Sequence, residues 1–188
     1  MKELKQRKDG NYQVHKLFFA WEEEKEKKWL EDMALNGYFL IKVLFGKYLF
    51  RKDTPKEVRY DFDFILWAKS NNEKDEYIKT AEEQGWQHIC DIGVWMYFMT
   101  YKSVEKTAPI YTDKDSKIKQ LSRLLAFLII ITLPGFHFII IQPVLYKNGN
   151  VFSNGFMLGF RIFYSVLFLF LIYSMIKIAI KIFSLKKR

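Results

Sequence analysis

One cysteine, three histidines and a complete lack of aspartate and glutamate over the 73 residues after Asp115 are the scarcities of this chain. Each excludes something. A lone Cys90 cannot close an internal disulfide, and its isolation fits a reducing compartment. His15, His88 and His137 are too scattered to combine with it into a four-ligand zinc site or a Cys/His nucleophile. The nine glycines fall one at a time as turn and helix-end punctuation, so there is no glycine-rich loop to cradle a phosphate. No catalytic, cofactor-binding or metal-binding residue is assigned from the sequence, and no cofactor is expected.

The missing carboxylates matter most. All 21 acidic residues lie at or before Asp115, so the front of the chain is nearly neutral and the net charge of +9 belongs to the tail. That tail holds two apolar runs, Leu121 to Ile141 and Met157 to Ile178, each long enough to cross about 30 Å of hydrocarbon as a helix. Lys114, Lys117, Lys119 and Arg123 precede the first run, and Lys177, Lys181, Lys186, Lys187 and Arg188 follow the start of the second run's exit. Cationic flanks on one side of a hairpin predict that side to be cytoplasmic. The mean hydropathy of -0.11 looks soluble only because a charged part and an apolar part cancel.

The reading is a cytoplasmic domain over residues 1–118 and a transmembrane hairpin over 119–188 with a basic C-terminal tail. Both termini are expected in the cytoplasm of a multi-pass plasma-membrane protein, with the loop from Tyr146 to Phe156 outside. The charged start, Met1 to Asn11, and the short, interrupted run Val14 to Trp21 do not read as a signal peptide. A pI near 9.4 would ordinarily raise nucleic acid as a partner, but here the excess charge flanks lipid-seeking segments, so the expected partner is the bilayer. Pro134 and Gly135 predict a kink in the first span. Of the ionisable side chains within the spans, His137 and Arg161 are the candidate polar site residues; both lie near the outer ends, where snorkelling accounts for them.

The front part contains a repeat. Displacing the sequence by 48 positions sets Trp29-Leu30, Met33 and Gly37-Tyr38 against Tyr77-Ile78, Ala81 and Gly85-Trp86. The units are residues 14–52 and 57–102, each reading strand, helix, strand, strand. Helices are expected over Glu22 to Asn36 and Asn72 to Gln84, closed by Gly37 and Gly85 in the left-handed conformation. Glu22, Glu23, Glu24 and Glu26 read as a solvated helix start that suits the positive end of the dipole, with Lys27 and Lys28 one turn on. Lys16 to Trp21 is expected as the first strand. Val58, Tyr60, Phe62 and Phe64 alternate with Glu57, Arg59, Asp61 and Asp63, which predicts a strand with one wet face. Hairpins are expected at Gly46 and Gly93. The fold class is therefore α+β: a duplicated βαββ domain with helices on one face of a mainly antiparallel sheet, followed by a two-helix transmembrane hairpin.

Asp61 and Asp63 share a strand face, as a general acid and base could, but alternating charge on a wet face explains them without catalysis. His88 and Cys90, two apart, would share a strand face and read as core. Large rings are more numerous than so small a domain requires, and Trp21, Trp86, Trp95 and Tyr97 are the aromatics selected as candidates for contacting a partner.

The segment Lys16-Leu17-Phe18-Phe19-Ala20-Trp21-Glu22, the helix motif from Glu26-Lys27-Lys28-Trp29-Leu30-Glu31 through Met33-Ala34 to Gly37-Tyr38, then Tyr60-Asp61-Phe62, Gly85-Trp86 and Trp95 with Tyr97-Phe98 resemble the bacterial domain of unknown function 2812 family. The resemblance spans about residues 14 to 120. It implies continuation into transmembrane helices and, through neighbouring transcriptional regulators, a regulatory setting; it implies no catalytic or ligand residue. The expected function is a membrane-anchored, non-enzymatic regulatory module that binds a protein or other ligand. Alternatives are an immunity or transport-accessory protein in which the hairpin is the working part, and a membrane-associated enzyme.

Overall fold

A computed structural model of the protein describes residues 4–64, 71–101, 114–136 and 155–187, with the side chains of 71–72, 155–158 and 160–161 outside that description. The chain divides into two compact units, Met1–Ser116 and Lys117–Arg188. In the first, β1 (Lys5–Gln6), β2 (Tyr12–His15), β3 (Tyr38–Leu44) and β4 (Lys47–Lys52) form an antiparallel sheet in the order β1-β2-β4-β3. A second antiparallel sheet, β5-β7-β6, is built from β5 (Val58–Phe64), β6 (Gln87–Ile92) and β7 (Trp95–Tyr101). Helix α1 (Glu23–Leu35) precedes β3 and helix α2 (Asn71–Glu83) precedes β6. The fold is α+β, but with two sheets where the alternation suggested one.

The two sheets share a plan. In each, the strand before the helix lies beside the last strand of its hairpin, giving the orders β2-β4-β3 and β5-β7-β6. A register shift interrupts the ladder between Leu40 and Lys42 in one hairpin and between His88 and Cys90 in the other, 48 positions apart. Both helices end at glycines with positive φ, Gly37 at 82° and Gly85 at 88°. The bulge overturns the expectation that His88 and Cys90 share a face. One extra residue reverses the alternation, so His88 pairs with Phe98 on one side and Cys90 with Tyr97 on the other.

The first strand lies earlier than its apolar composition suggested. β2 ends at His15, opposite Lys47, because β4 begins there and offers nothing further to pair with. The Lys16 N–H donates to the Gly46 carbonyl at 2.8 Å, after which Leu17 to Phe19 leave the sheet and Ala20–Glu22 form a 3-10 turn into α1. Gly46 makes this crossing possible: its φ is 74°, and a Cβ would collide with Leu17 and press on the Lys16 carbonyl.

Helix α1 packs on β3 and on β5, and so touches both sheets, whereas α2 packs on β6. The main core joins Leu30, Met33 and Ala34 of α1 to Phe39, Val43, Phe50, Tyr60, Phe62 and Met99. A second core places Ala81 and Trp86 against Met96 and Phe98. Alternate residues of β7 therefore enter different cores, and the helices cover opposite faces of the second sheet. This arrangement corrects the wet face expected of β5: Asp61 and Asp63 are buried. Each large side chain buried this way contributes roughly 1.5–3 kcal/mol.

Among the contacts between the sheets, the Tyr60 hydroxyl on β5 accepts the Leu40 N–H of β3 at 3.3 Å, and burial pushes the Tyr60 pKa up to about 12. The Cys90 thiol, raised by burial to about 11, is pulled the other way by a hydrogen bond from the Val43 backbone across from β6 to β3.

Helices α3 (Lys114–Phe136) and α4 (Gly155–Lys187) are long and apolar enough to cross a membrane, judged by length and composition. Helix α3 continues through Pro134 to Phe136, and the remainder of the first expected span, with His137, lies outside the described residues. Helix α4 runs on past the expected end of the second span, over a length of about 50 Å. Thr132 and Ser174 donate to the Leu128 and Phe170 carbonyls of their own helices, which is how hydroxyls are satisfied where water is absent. Ile130, Leu133, Val166, Leu169 and Phe183 stand exposed along them.

Tyr60→Phe is expected to destabilise the first unit by about 1–2 kcal/mol, since it strands a buried N–H at the bulge. Urea unfolding followed by tryptophan fluorescence measures it.

Candidate functional site

The stripe that buries α1 does not stop at its apolar residues. Glu23, Glu26, Leu30, Met33 and Ala34 follow one another at helical spacing, and the two carboxylates are only 3% and 7% exposed. The acidic run is thus not the solvated start its composition suggested; a helix wedged against two sheets has little free surface in its first turn. Of the four glutamates in the run, Glu24 faces solvent.

Burial of these charges is balanced by two sets of partners. Lys27 Nζ lies 2.7 Å from Glu23 Oε1 and 2.6 Å from Asp61 Oδ1, with Glu24 at 3.6 Å. Burial alone would lower its pKa, but the Glu23 and Asp61 carboxylates hold it well above the usual lysine value, so Lys27 remains an ammonium. The same cation sits 5.7 Å from the Phe62 ring centroid. Glu26 has no such cation in contact. Its Oε1 accepts the Tyr48 hydroxyl at 2.6 Å and the Tyr97 hydroxyl at 2.9 Å, one from each sheet. Burial raises both tyrosine pKa values, and the neighbouring Glu26 charge raises them further, so both hydroxyls keep their protons to donate.

These groups surround a cavity of about 160 Å³ between the sheets and α1. Glu23, Glu26, Tyr48, Phe62, Trp95 and Tyr97 form its interior, and Leu17 to Ala20 pass along its edge. A wider hollow of about 740 Å³ is bounded by Val14, Trp29, Met33 and Phe45 on the far side of the Leu17 segment; no carboxylate lines it. Exposed rings and aliphatic groups collect at this end of the domain, where Leu17, Phe19, Leu44 and Phe45 are all exposed, Phe45 by 87%.

The candidate residues divide accordingly. Tyr97 is buried on Glu26, and Trp95 is half-buried in the cavity, 5.1 Å from Phe64. Trp21 stacks on Phe19 at 4.8 Å beside the cavity edge. Trp86, 1% exposed, belongs to the second core and reaches no surface. The side chains of His137 and Arg161 lie outside the described residues. Asp61 and Asp63 are drawn apart by different helices, Asp61 to Lys27 of α1 and Asp63 to the Tyr77 hydroxyl of α2, so they do not form an acid and base pair. His88 instead meets Asp91 at 2.8 Å, and Lys74 pairs with the same carboxylate. Burial would raise the Asp91 pKa, but those two partners hold it below the ordinary value. Among the described residues, no group of three or more His, Cys, Asp or Glu side chains is placed to hold a metal ion.

Residues 22–133, which begin at the entry to α1 and include most of the cavity residues, match the family described as protein of unknown function DUF2812, and the chain belongs to that family. No curated protein and no solved structure matches it.

Glu26 supplies a pH test. Burial raises its carboxyl pKa above the ordinary 4.5, against the pull of the two tyrosine hydroxyls; Glu23 adds to the rise and Lys27 opposes it. The folded domain then holds this proton more tightly than the unfolded chain does, so the contribution is present at acid pH and is lost as pH climbs above the ordinary carboxylate value. Among the described residues, Asp61 on β5 and Cys90 on β6 are further titratable groups beside the cluster. Glu26→Gln keeps an oxygen for both hydroxyls and removes the charge. Thermal unfolding at pH 7.5 should therefore rise by roughly 3–6 °C, the effect of about 1 kcal/mol in a domain of this size, and the decline in stability between pH 5 and 7.5 should flatten.

Proposed function

We propose that this protein is a membrane-anchored, non-enzymatic binding module with a regulatory role. The unit Met1–Ser116 takes a small ligand, or a protruding group of a partner protein, into the cavity between its sheets. The two apolar helices hold that unit at the cytoplasmic face of the plasma membrane, crossing it twice with both termini inside. The observation that carries this reading is the cavity itself: buried carboxylates and tyrosines from α1 and both sheets converge on an accessible space, an arrangement typical of recognition, while the acidic pair is split between Lys27 and Tyr77 and His88 is engaged by Asp91. The basic flanks of α3 and α4 support the orientation. The shared strand order, the recurring bulge and the 48-residue sequence displacement support descent of the two halves from one βαββ unit.

Two measurements test the reading. Reporter fusions at either end should both report a cytoplasmic location, and opposite locations would refute the hairpin. Native mass spectrometry of the full chain, released from its own membranes in maltoside micelles, should detect a bound ligand or partner that Ala20→Phe, which fills the cavity edge, removes. A chain that emerges bare, with a spectrum unchanged by Ala20→Phe, would refute the cavity as a binding site.

A further inference from the structure

We propose that the cavity between the sheets accepts a small organic cation, a quaternary or alkyl ammonium head, held between the Glu26 carboxylate and the rings of Tyr48 and Trp95. The inference rests on the reading of the cavity as a binding site and adds the chemistry of what enters it.

Three observations point to positive charge. The lining contains two carboxylates, one of them paired with Lys27, and neither lysine, arginine nor histidine, so Glu26 biases its field toward the negative. The charge inside is also incompletely matched. Glu23 and Asp61 are both held by the ammonium of Lys27, whereas among the described residues Glu26 receives only the neutral hydroxyls of Tyr48 and Tyr97, both on Oε1. Glu26 is 93% buried and lines the cavity, and its Oε2 receives no hydrogen bond from any described residue. That oxygen keeps contact with the cavity space, where a cation supplied from outside would meet it in place of water.

The third observation is the wall. Phe18, Phe19, Tyr48, Phe62, Trp95 and Tyr97 line the space; Lys16 already stands 4.8 Å from the Phe18 centroid and Lys27 5.7 Å from that of Phe62, and the quadrupoles of the other rings attract a poorly hydrated cation once water is excluded. Such a wall discriminates against an inorganic ion, whose hydration shell rings cannot replace, and favours an organic ammonium. Size narrows the class further. At about 160 Å³ the cavity lies well under the roughly 300–1,000 Å³ of sites for drug-sized molecules, so it fits a head group and excludes a nucleotide. Choline-like and butylammonium-like heads have the appropriate size, and either a free metabolite or a lipid could present one.

The test uses the full chain in maltoside micelles, with tetramethylammonium, choline and butylammonium as probes. The neutral counterparts in which carbon replaces nitrogen serve as controls, and calorimetry and Trp95-dominated fluorescence changes are the readouts. At least one cation should bind roughly tenfold or more tightly than its neutral counterpart, and Glu26→Gln should erase that preference while its thermal midpoint stays at or above that of the parent. Loss in Ala20→Phe places binding in the cavity. Vesicles bearing phosphatidylcholine against vesicles of phosphatidylglycerol then separate a lipid head from a free amine. Neutral counterparts that bind as well as the cations would overturn the charge assignment and leave the binding reading standing. Absence of binding by every probe also overturns the cation assignment, and the native mass spectrum decides whether the binding reading falls with it.

Discussion

Helix α1 lies against two sheets at once, and nearly every other feature of the domain follows from that constraint. A helix covered on one side can keep its charges in water; this one cannot, so its first turn carries carboxylates that must find partners within the protein. Lys27 joins Glu23 to Asp61 of the second sheet, while Glu26 receives one hydroxyl from each sheet. The polar cluster thus replaces the backbone ladder that β3 and β6 do not form, and it ties the two halves through side chains. Breaking one partner would leave a charge buried and uncompensated, which costs several times what an exposed ion pair is worth.

Much of this architecture was legible in the residues. Gly37, Gly46, Gly85 and Gly93 marked the helix ends and hairpin turns, and all have positive φ. The spacing of Trp29, Leu30 and Met33 identified α1, and the two expected helices and two expected hairpins are present. The misreadings have two physical origins. Alternation reports which residues share a face but not whether that face is later covered, so Asp61 and Asp63 read as wet although Lys27 of α1 and Tyr77 of α2 meet them. The extra residue near Ile89 hid the reversal that separates His88 from Cys90.

The cavity residues were harder to see for the first of these reasons. Trp95 and Tyr97 stood out as large rings, but Glu23 and Glu26 were absorbed into an acidic run that suits any helix start. A signal was present: both continue the register of Leu30, Met33 and Ala34, so the buried face of the helix was acidic for its first turn. Tyr48 gave no local cue, since its role depends on a helix 22 residues away meeting its hydroxyl. In the tail, by contrast, composition is the whole argument, because lipid-compatible helices are recognised by what they lack.

The recurring bulge has a bearing on the seam between the sheets. β3 and β6 are the sheet edges that face one another within the domain, and two facing edges with regular spacing of donors and acceptors would zip into one ladder. Each of these edges is broken near its middle, at Ile41 and at Ile89, so the two could match only a few residues before losing step. Such irregularity leaves the seam to side chains and keeps open a space that a continuous ladder would have closed.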